Sequence, residues 1–144
     1  MSIRNTENRI QYIELIDFAN SIPIPDGDKR FFGSADYDTT NSDGAQFCTV
    51  QNDNILFEES GMYSFDFFGE FTRGGYVVFT KDPLYNPALI LRQPAWSYSN
   101  LDFAMVLTTV QYVEAGDVWY FGLQNDLGGV GTSLERRLRI CKLT

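Results

Sequence analysis

The sequence predicts an all-β domain, a sandwich or a barrel, from three observations. Turn-forming clusters recur at short intervals, at Pro25-Asp26-Gly27, Asn41-Ser42-Asp43-Gly44, Ser60-Gly61, Arg73-Gly74-Gly75, Asn86-Pro87, Ala115-Gly116-Asp117 and Leu127-Gly128-Gly129. The segments between them are short, apolar or alternating, and rich in Val, Ile, Phe, Tyr and Thr, residues that suit a pleated, half-buried surface. Helix signals are weak throughout, and neither an internal repeat nor a low-complexity tract interrupts the pattern. A chain of 144 residues has the size of one ordinary domain and buries roughly 70% of its unfolded surface in a single core.

The clearest strand lies in "FEESGMYSFDFFGEF", residues 57–71, which holds six aromatics and four acids. Period two puts Tyr63, Phe65, Phe67 and Phe71 on one face and Met62, Ser64, Asp66, Phe68 and Glu70 on the other. The first face is core. The segment "LDFAMVLTTVQYVEAGDVWYFGL" is apolar on both faces: Phe103, Met105, Leu107 and Val113 share one parity, and Ala104, Val106, Val110 and Tyr112 the other. After the Ala115-Gly116-Asp117 turn, Trp119, Phe121 and Leu123 alternate with Val118, Tyr120 and Gly122. A strand of a two-sheet sandwich needs only one buried face, so something covers the second. A neighbouring subunit is preferred over a folded-back loop or N-terminal segment, because large apolar patches mark interfaces.

In the last strand, "LERRLRICKL", Leu138 and Ile140 share one face and Arg137, Arg139, Cys141 and Leu143 the other. Three arginines in four residues are read as solvated or paired with the many carboxylates rather than as a binding site. The segment "KDPLYNPALILRQPAWSYSN" carries three prolines with Tyr85, Trp96 and Tyr98. Aromatics on rigid loops serve sugar and protein contacts, so this is the candidate partner-binding loop; Trp96 tucking back over the core is the competing reading.

Composition narrows function chiefly by exclusion. The net charge of -8 repels polyanions, so neither nucleic acid nor an anionic membrane is an expected partner. The N-terminus has charges scattered among its apolar residues and no signal-peptide core, and no apolar run reaches membrane-spanning length. With no histidine in the chain, the usual general base and the commonest metal ligand are missing. Glu58 and Glu59 beside a turn are an incidental carboxylate pair, Ser97 and Ser99 have no base, and the expectation is that the protein is not an enzyme and has no catalytic residue. Asp36, Asp38, Asn41 and Asp43 offer oxygens for calcium but lack the spacing and closing glutamate of a helix-flanked loop, and Asp26 and Asp28 are similar. Solvated acidic loops, no metal and no cofactor are expected. Cys48 and Cys141 are expected to be two buried free thiols rather than a disulfide.

Phe57, Ser60-Gly61, Tyr63 and Phe65, followed some fifty residues later by Glu114-Ala115-Gly116-Asp117-Val118-Trp119, resemble the paired signatures of tumour necrosis factor-like and complement globular-head domains. The resemblance spans about residues 50–144 and implies a two-sheet antiparallel jelly roll of ten strands that assembles as a trimer, with inner sheets facing the threefold axis. By motif position, Met62, Asp66, Phe68, Val106, Val110 and Tyr112 would face that axis. Arg137 and Arg139, on the neighbouring strand, would reach Asp66, within one subunit or between subunits. Three symmetry-related carboxylates repel unless each finds a cation. Residues 1–53 form an N-terminal arm that includes the first strands, within Arg9 to Ile24, and a polar surface excursion, "GSADYDTTNSDG"; residues 54–144 complete the same domain.

Animal members of that family carry signal peptides, membrane stalks or collagen-like tails, and this short acidic chain resembles the bacterial and bacteriophage versions. The leading expectation is a homotrimeric structural protein that decorates or cements a bacteriophage capsid at threefold positions, with the major capsid protein as partner. Its place is the virion surface, after assembly in the host cytoplasm. The alternative is the receptor- or glycan-binding tip of a phage fibre or bacterial appendage, against which the lack of heptads or Gly-X-Y repeats before residue 54 counts. A secreted signalling ligand is the third reading and lacks an export signal.

Overall fold

The computed structural model describes residues 10–17, 21–34, 36–41, 46–71, 75–81, 90–94, 96–97, 103–125, 129 and 131–144. Every pairing among them is antiparallel, and they contain no helix. One sheet runs β10 (Trp96–Ser97), β11 (Phe103–Val113), β7 (Gly61–Phe71), β13 (Gly131–Lys142), β1 (Gln11–Asp17), β4 (Tyr37–Asn41), with β2 (Ile22–Ile24) on the start of β13. The other runs β5 (Cys48–Val50), β6 (Ile55–Phe57), β12 (Val118–Asn125), β8 (Gly75–Thr80), β9 (Ile90–Pro94), with β3 (Lys29–Phe31) beside β12. From β6 onward the chain changes sheet at every connection except β8 to β9 and β10 to β11, the crossing pattern of a jelly roll.

The described residues form thirteen strand segments, more than the ten expected. Short pieces account for the surplus of three: β2 and β3 lie off the main sheet order and pair with only parts of β13 and β12, and β10 is a two-residue strand beside β11. The close approach of β3 depends on Gly122, since a Cβ there would sit 1.9 Å from the Arg30 carbonyl oxygen. No side chain fits at that distance.

Strict alternation of burial along β7 follows from the sequence. Tyr63, Phe65, Phe67 and Phe71 are buried, and the residues between Gly61 and Phe71 at the other parity are half-buried. The inward rings form a continuous aromatic chain through the sandwich. Phe47 meets Tyr63 at 5.3 Å between centroids, Tyr63 meets Phe57 at 4.9 Å, and Phe57 meets Phe65 at 6.0 Å. Phe65 reaches Phe79 at 5.3 Å, Phe79 reaches Phe121 at 5.9 Å, and Phe121 touches Tyr37 at 5.9 Å. Most of these pairs are tilted or edge-on, the geometry that the ring quadrupole favours.

Both family-signature turns have a local cause. Gly116 has φ +95° in the turn that Asp117 N–H closes on the Glu114 carbonyl at 2.9 Å, a backbone state that suits glycine. The Asp117 carboxylate accepts the Glu114 N–H at 3.0 Å and Lys81 at 3.4 Å. At Gly61 the constraint is crowding: a Cβ would lie 2.8 Å from the Thr144 carbonyl oxygen, and the Thr144 hydroxyl accepts the Met62 N–H at 2.8 Å. The end of β13 is thereby stitched to the start of β7.

The two cysteines are free, but only Cys48 is buried; Cys141 is half-buried, because its parity on β13 turns it outward. Burial, with the Glu58 charge as the lesser cause, pushes the Cys48 thiol up to about 12. Thiolate is the reactive form. Iodoacetamide at pH 8 should therefore leave Cys48 unmodified in the native protein and alkylate it once the chain is unfolded in denaturant, as read by peptide mass spectrometry.

Candidate functional site: the outward face of the seven-stranded sheet

Registers across β11, β7, β13 and β1 define the face that these strands turn away from the core. Val106, Phe68, Arg137 and Ile16 align in one cross-strand row, and Thr108, Asp66, Arg139 and Glu14 in the next. Val110, Ser64, Cys141 and Tyr12 make a third row, and Tyr112 and Met62 begin a fourth, where the Leu143 N–H donates to the Met62 carbonyl at 2.7 Å. Inward neighbours such as Leu107, Val113, Leu138, Ile140, Ile13 and Leu15 are buried.

Several apolar residues of this face are open to solvent in the isolated chain, and Met62 and Phe68 are half-buried. Val106, Val110 and Tyr112 are 40%, 50% and 56% exposed. Ile10, Ile16, Val106, Val110, Tyr112 and Leu143 are the large hydrophobics exposed among the described residues. All six lie on this face or at its margin, a clustering that singly scattered surface residues do not show.

A concavity of about 460 Å³ opens in the middle of the face, lined by Glu14, Asp66, Phe68, Val106, Thr108, Arg137 and Arg139. It therefore gathers five of the eight residues that the sequence assigned to a trimer interface: Asp66, Phe68, Val106, Arg137 and Arg139. Met62, Val110 and Tyr112 stand in the adjoining rows. Although Asp66 and Arg139 are register partners, no ion pair joins Asp66 to Arg137 or Arg139 among the described residues. The Arg139 guanidinium lies instead over the Tyr12 ring, 4.4 Å from its centroid, within cation–π range.

Sequence reasoning treated Arg136 with its neighbours, as solvated or carboxylate-paired, and the structure differs. A β-bulge between Ser133 and Arg136 shifts the register against β7 by one residue, so inward parity passes from Ser133 to Arg136, Leu138 and Ile140. Arg136 is 2% exposed, and its guanidinium lies 5.0 Å from the Phe32 centroid and 5.8 Å from that of Tyr37. Its Nη1 donates to the Ser133 hydroxyl at 2.9 Å and the Ser133 carbonyl at 3.2 Å. Shared parity with Leu138 and Ile140 was the signal that pointed inward.

The stretch expected to be a polar surface excursion with solvated acidic loops is in part a strand, since Tyr37–Asn41 is β4, paired with β1 at the end of the seven-stranded sheet, and Tyr37 is buried. Asp36 is buried and accepts from Arg30 at 2.8 Å and from the Gly33 N–H at 3.4 Å, while Asp38 is exposed. Asp43 lies outside the described residues, as does the side chain of Asn41. Asp26 and Asp28 flank the turn at Gly27 (φ +77°), which the Asp28 N–H closes on the Pro25 carbonyl at 3.1 Å. No cluster of three or more metal-ligating side chains occurs among the described residues. Glu58 accepts from the Thr49 hydroxyl at 3.3 Å and Glu59 pairs with Lys142 at 3.7 Å. Burial and the Glu59 charge hold the Tyr63 hydroxyl, which donates to the Glu59 carbonyl at 2.7 Å, above the usual tyrosine range.

Of the candidate partner-binding loop, Tyr85 and Tyr98 lie outside the described residues, as does the Trp96 side chain. The Trp96 backbone belongs to β10 and pairs with Ala104.

Comparison with solved structures gives the same fold over nearly the whole chain. The vertex protein P5 of the phage PRD1 superposes with a TM-score of 0.63 at 16% identity, covering 93% of this chain and 97% of that one. Murine APRIL at pH 5.0 gives 0.63 at 13% identity, with 94% and 100% covered. Eiger TNF from S. frugiperda gives 0.60 at 10% identity, with 92% of each chain covered. No family model matches the sequence, and no curated protein does. The fold is the tumour necrosis factor-like jelly roll, with identities at a level that establishes fold alone.

Truncating Arg136 to Ala removes a buried stem and its stacking on Phe32 and Tyr37. Urea denaturation of that variant should lose about 2–5 kcal/mol of unfolding free energy, and Arg136→Met, which keeps much of the stem's volume, should recover part of the loss.

Proposed function

We propose that the protein is a homotrimeric structural module of a virion, which decorates or cements a bacteriophage capsid at threefold positions with the major capsid protein as its partner. The observation that carries the reading is the gathering of the exposed large hydrophobics of the described residues onto one sheet face. Such a face on a sandwich with an ample core is a surface for another copy of the chain. Met62, Asp66, Phe68, Val106, Val110, Tyr112, Arg137 and Arg139 form the subunit contact in this reading.

The likeness to a phage vertex protein that is covered over 97% of its length supports a virion setting. Three equal contacts formed at once at a local threefold position of a lattice multiply a modest single-site affinity. Residues 1–53 supply the first strands and an arm that reaches neighbouring capsid subunits, and residues 54–144 complete the same domain. Assembly takes place in the host cytoplasm and the product resides on the capsid surface.

A second reading, the receptor- or glycan-binding tip of a fibre, is favoured by one point: the matched phage protein is named for a vertex rather than for a lattice face. In that case the loop bearing Tyr85, Trp96 and Tyr98 meets the ligand. Native mass and co-sedimentation separate the two. The purified chain should have three times its 16.4 kDa mass and should sediment with undecorated capsids. A trimer that ignores capsids transfers the assignment to the fibre tip, and a stable monomer removes the basis of both.

Deleting residues 1–9 should leave the native mass that of a trimer while weakening attachment to capsids in the same sedimentation assay. Unchanged attachment would remove the arm from the reading.

A further inference from the structure

We infer that Arg137 and Arg139 of each copy make their ion pairs with Asp66 and Glu14 of the neighbouring copy, so that a charged patch inside a largely apolar contact selects how subunits associate. This rests on the trimer reading and adds to it the chemistry of the contact. The surface is the concavity of the seven-stranded sheet, and its occupant is a second copy of this chain.

The first ground is charge. The chain carries -8 overall, so copies repel wherever their acidic surfaces approach. The concavity is different: Glu14 and Asp66 are balanced there by Arg137 and Arg139. A locally neutral surface with two charges of each sign is complementary to itself, which an acidic surface is not. Partners that are basic, or strongly acidic, match it less well.

The second ground is geometry. Arg139 sits between Asp66 on β7 and Glu14 on β1 in register, the position from which an in-chain ion pair would form most easily. Neither pair is formed among the described residues. The guanidinium lies one row away over Tyr12 at 4.4 Å. Arg137 has Phe68 and Ile16 as its cross-strand neighbours and no carboxylate opposite it. Both guanidiniums are exposed and retain donors that a carboxylate of another copy can accept, in the bidentate manner that arginine favours.

The third ground is surroundings. The row of Asp66, Arg139 and Glu14 is bounded by Val106, Phe68, Arg137 and Ile16 on one side and by Val110, Ser64, Cys141 and Tyr12 on the other. Closing these largely apolar rows against a neighbour withdraws the charges, Arg137 included, from water. Each must then be matched, because an uncompensated buried charge is far costlier than a buried pair is beneficial.

Charge reversal tests this. Asp66→Arg and Arg139→Glu, each alone, should raise the concentration at which the trimer dissociates by about tenfold or more, read by sedimentation velocity. The double variant Asp66→Arg/Arg139→Glu should return it toward the unaltered value. Mixing the two single variants should produce mixed trimers, by native mass spectrometry, well above the level either reaches alone. A chain repaired by the double substitution but not by mixing would place the pair within one subunit and overturn the inference. So would single variants that assemble as tightly as the unaltered protein.

Neutral replacements guard against misfolding: Asp66→Asn/Arg139→Gln should fold, by circular dichroism, and should associate with a weaker dependence on salt than the unaltered chain. An equal salt dependence would overturn the inference. If the unaltered chain is monomeric at every concentration, the trimer reading itself fails, an outcome distinct from a trimer indifferent to these charges.

Discussion

Strand β7 is the constraint on which the rest of the structure depends. It lies between β11 and β13 for almost its full length, and its inward residues carry the aromatic chain that joins the two sheets. Because a strand presents alternate residues to opposite faces, the ring pattern at Tyr63, Phe65, Phe67 and Phe71 also fixes where Met62, Ser64, Asp66 and Phe68 must point. A slip of one residue would bury Asp66 among phenylalanines and expose Phe65 and Phe67. Core and candidate contact face are thus one decision, made by a single eleven-residue strand.

The neighbouring strands repeat this division with different side chains. β11 buries Leu107 and Val113 and exposes Val106, Val110 and Tyr112; β13 buries Leu138 and Ile140 and exposes Arg137 and Arg139. The bulge before Arg136 sets the parity that puts Arg137 and Arg139 outward. It does so by taking an arginine into the end of the core, where two aromatic rings and Ser133 receive it. Phe32 is flanked by a second guanidinium, that of Arg30 at 6.0 Å, itself paired with buried Asp36. That end of the sandwich is closed by cations on aromatic faces rather than by aliphatic packing.

Much of this was legible because period-two alternation in long strands is a strong signal. The inward and outward sets of β7, β11 and β13 read directly from residues 61–71, 106–113 and 137–143, and the Gly116 turn from its neighbours. What the sequence concealed has physical reasons. Glu14 and Ile16 belong to the face, but β1 is joined to β7 only through β13, a non-local arrangement that its own seven residues do not reveal. The bulge at Ser133 and Arg136 leaves no composition signature, so the inward turn of Arg136 could be inferred only by counting back from Leu138. Asp36 resembles a loop acid by sequence, and its burial depends on Arg30 arriving from a strand of the other sheet.

A polar row crossing an apolar face invites the question of what an all-apolar face would do instead. Hydrophobic contact is non-directional, and a sheet face of Val, Ile, Phe and Tyr alone would tolerate several offsets between copies with little difference in energy. Charges alternate along the row from Asp66 through Arg139 to Glu14. A displacement of one row between copies would set Asp66, Arg139 and Glu14 against Val106, Phe68, Arg137 and Ile16 or against Val110, Ser64, Cys141 and Tyr12, rows that hold no carboxylate and at most one cation, and would leave most of the charges unmatched on loss of water. The apolar rows supply affinity in any alignment, whereas the charged row distinguishes among alignments by penalising all but one. On the proposed trimer the part assigned to Asp66, Arg137, Arg139 and Glu14 is to select one alignment of the subunits rather than to add much net affinity.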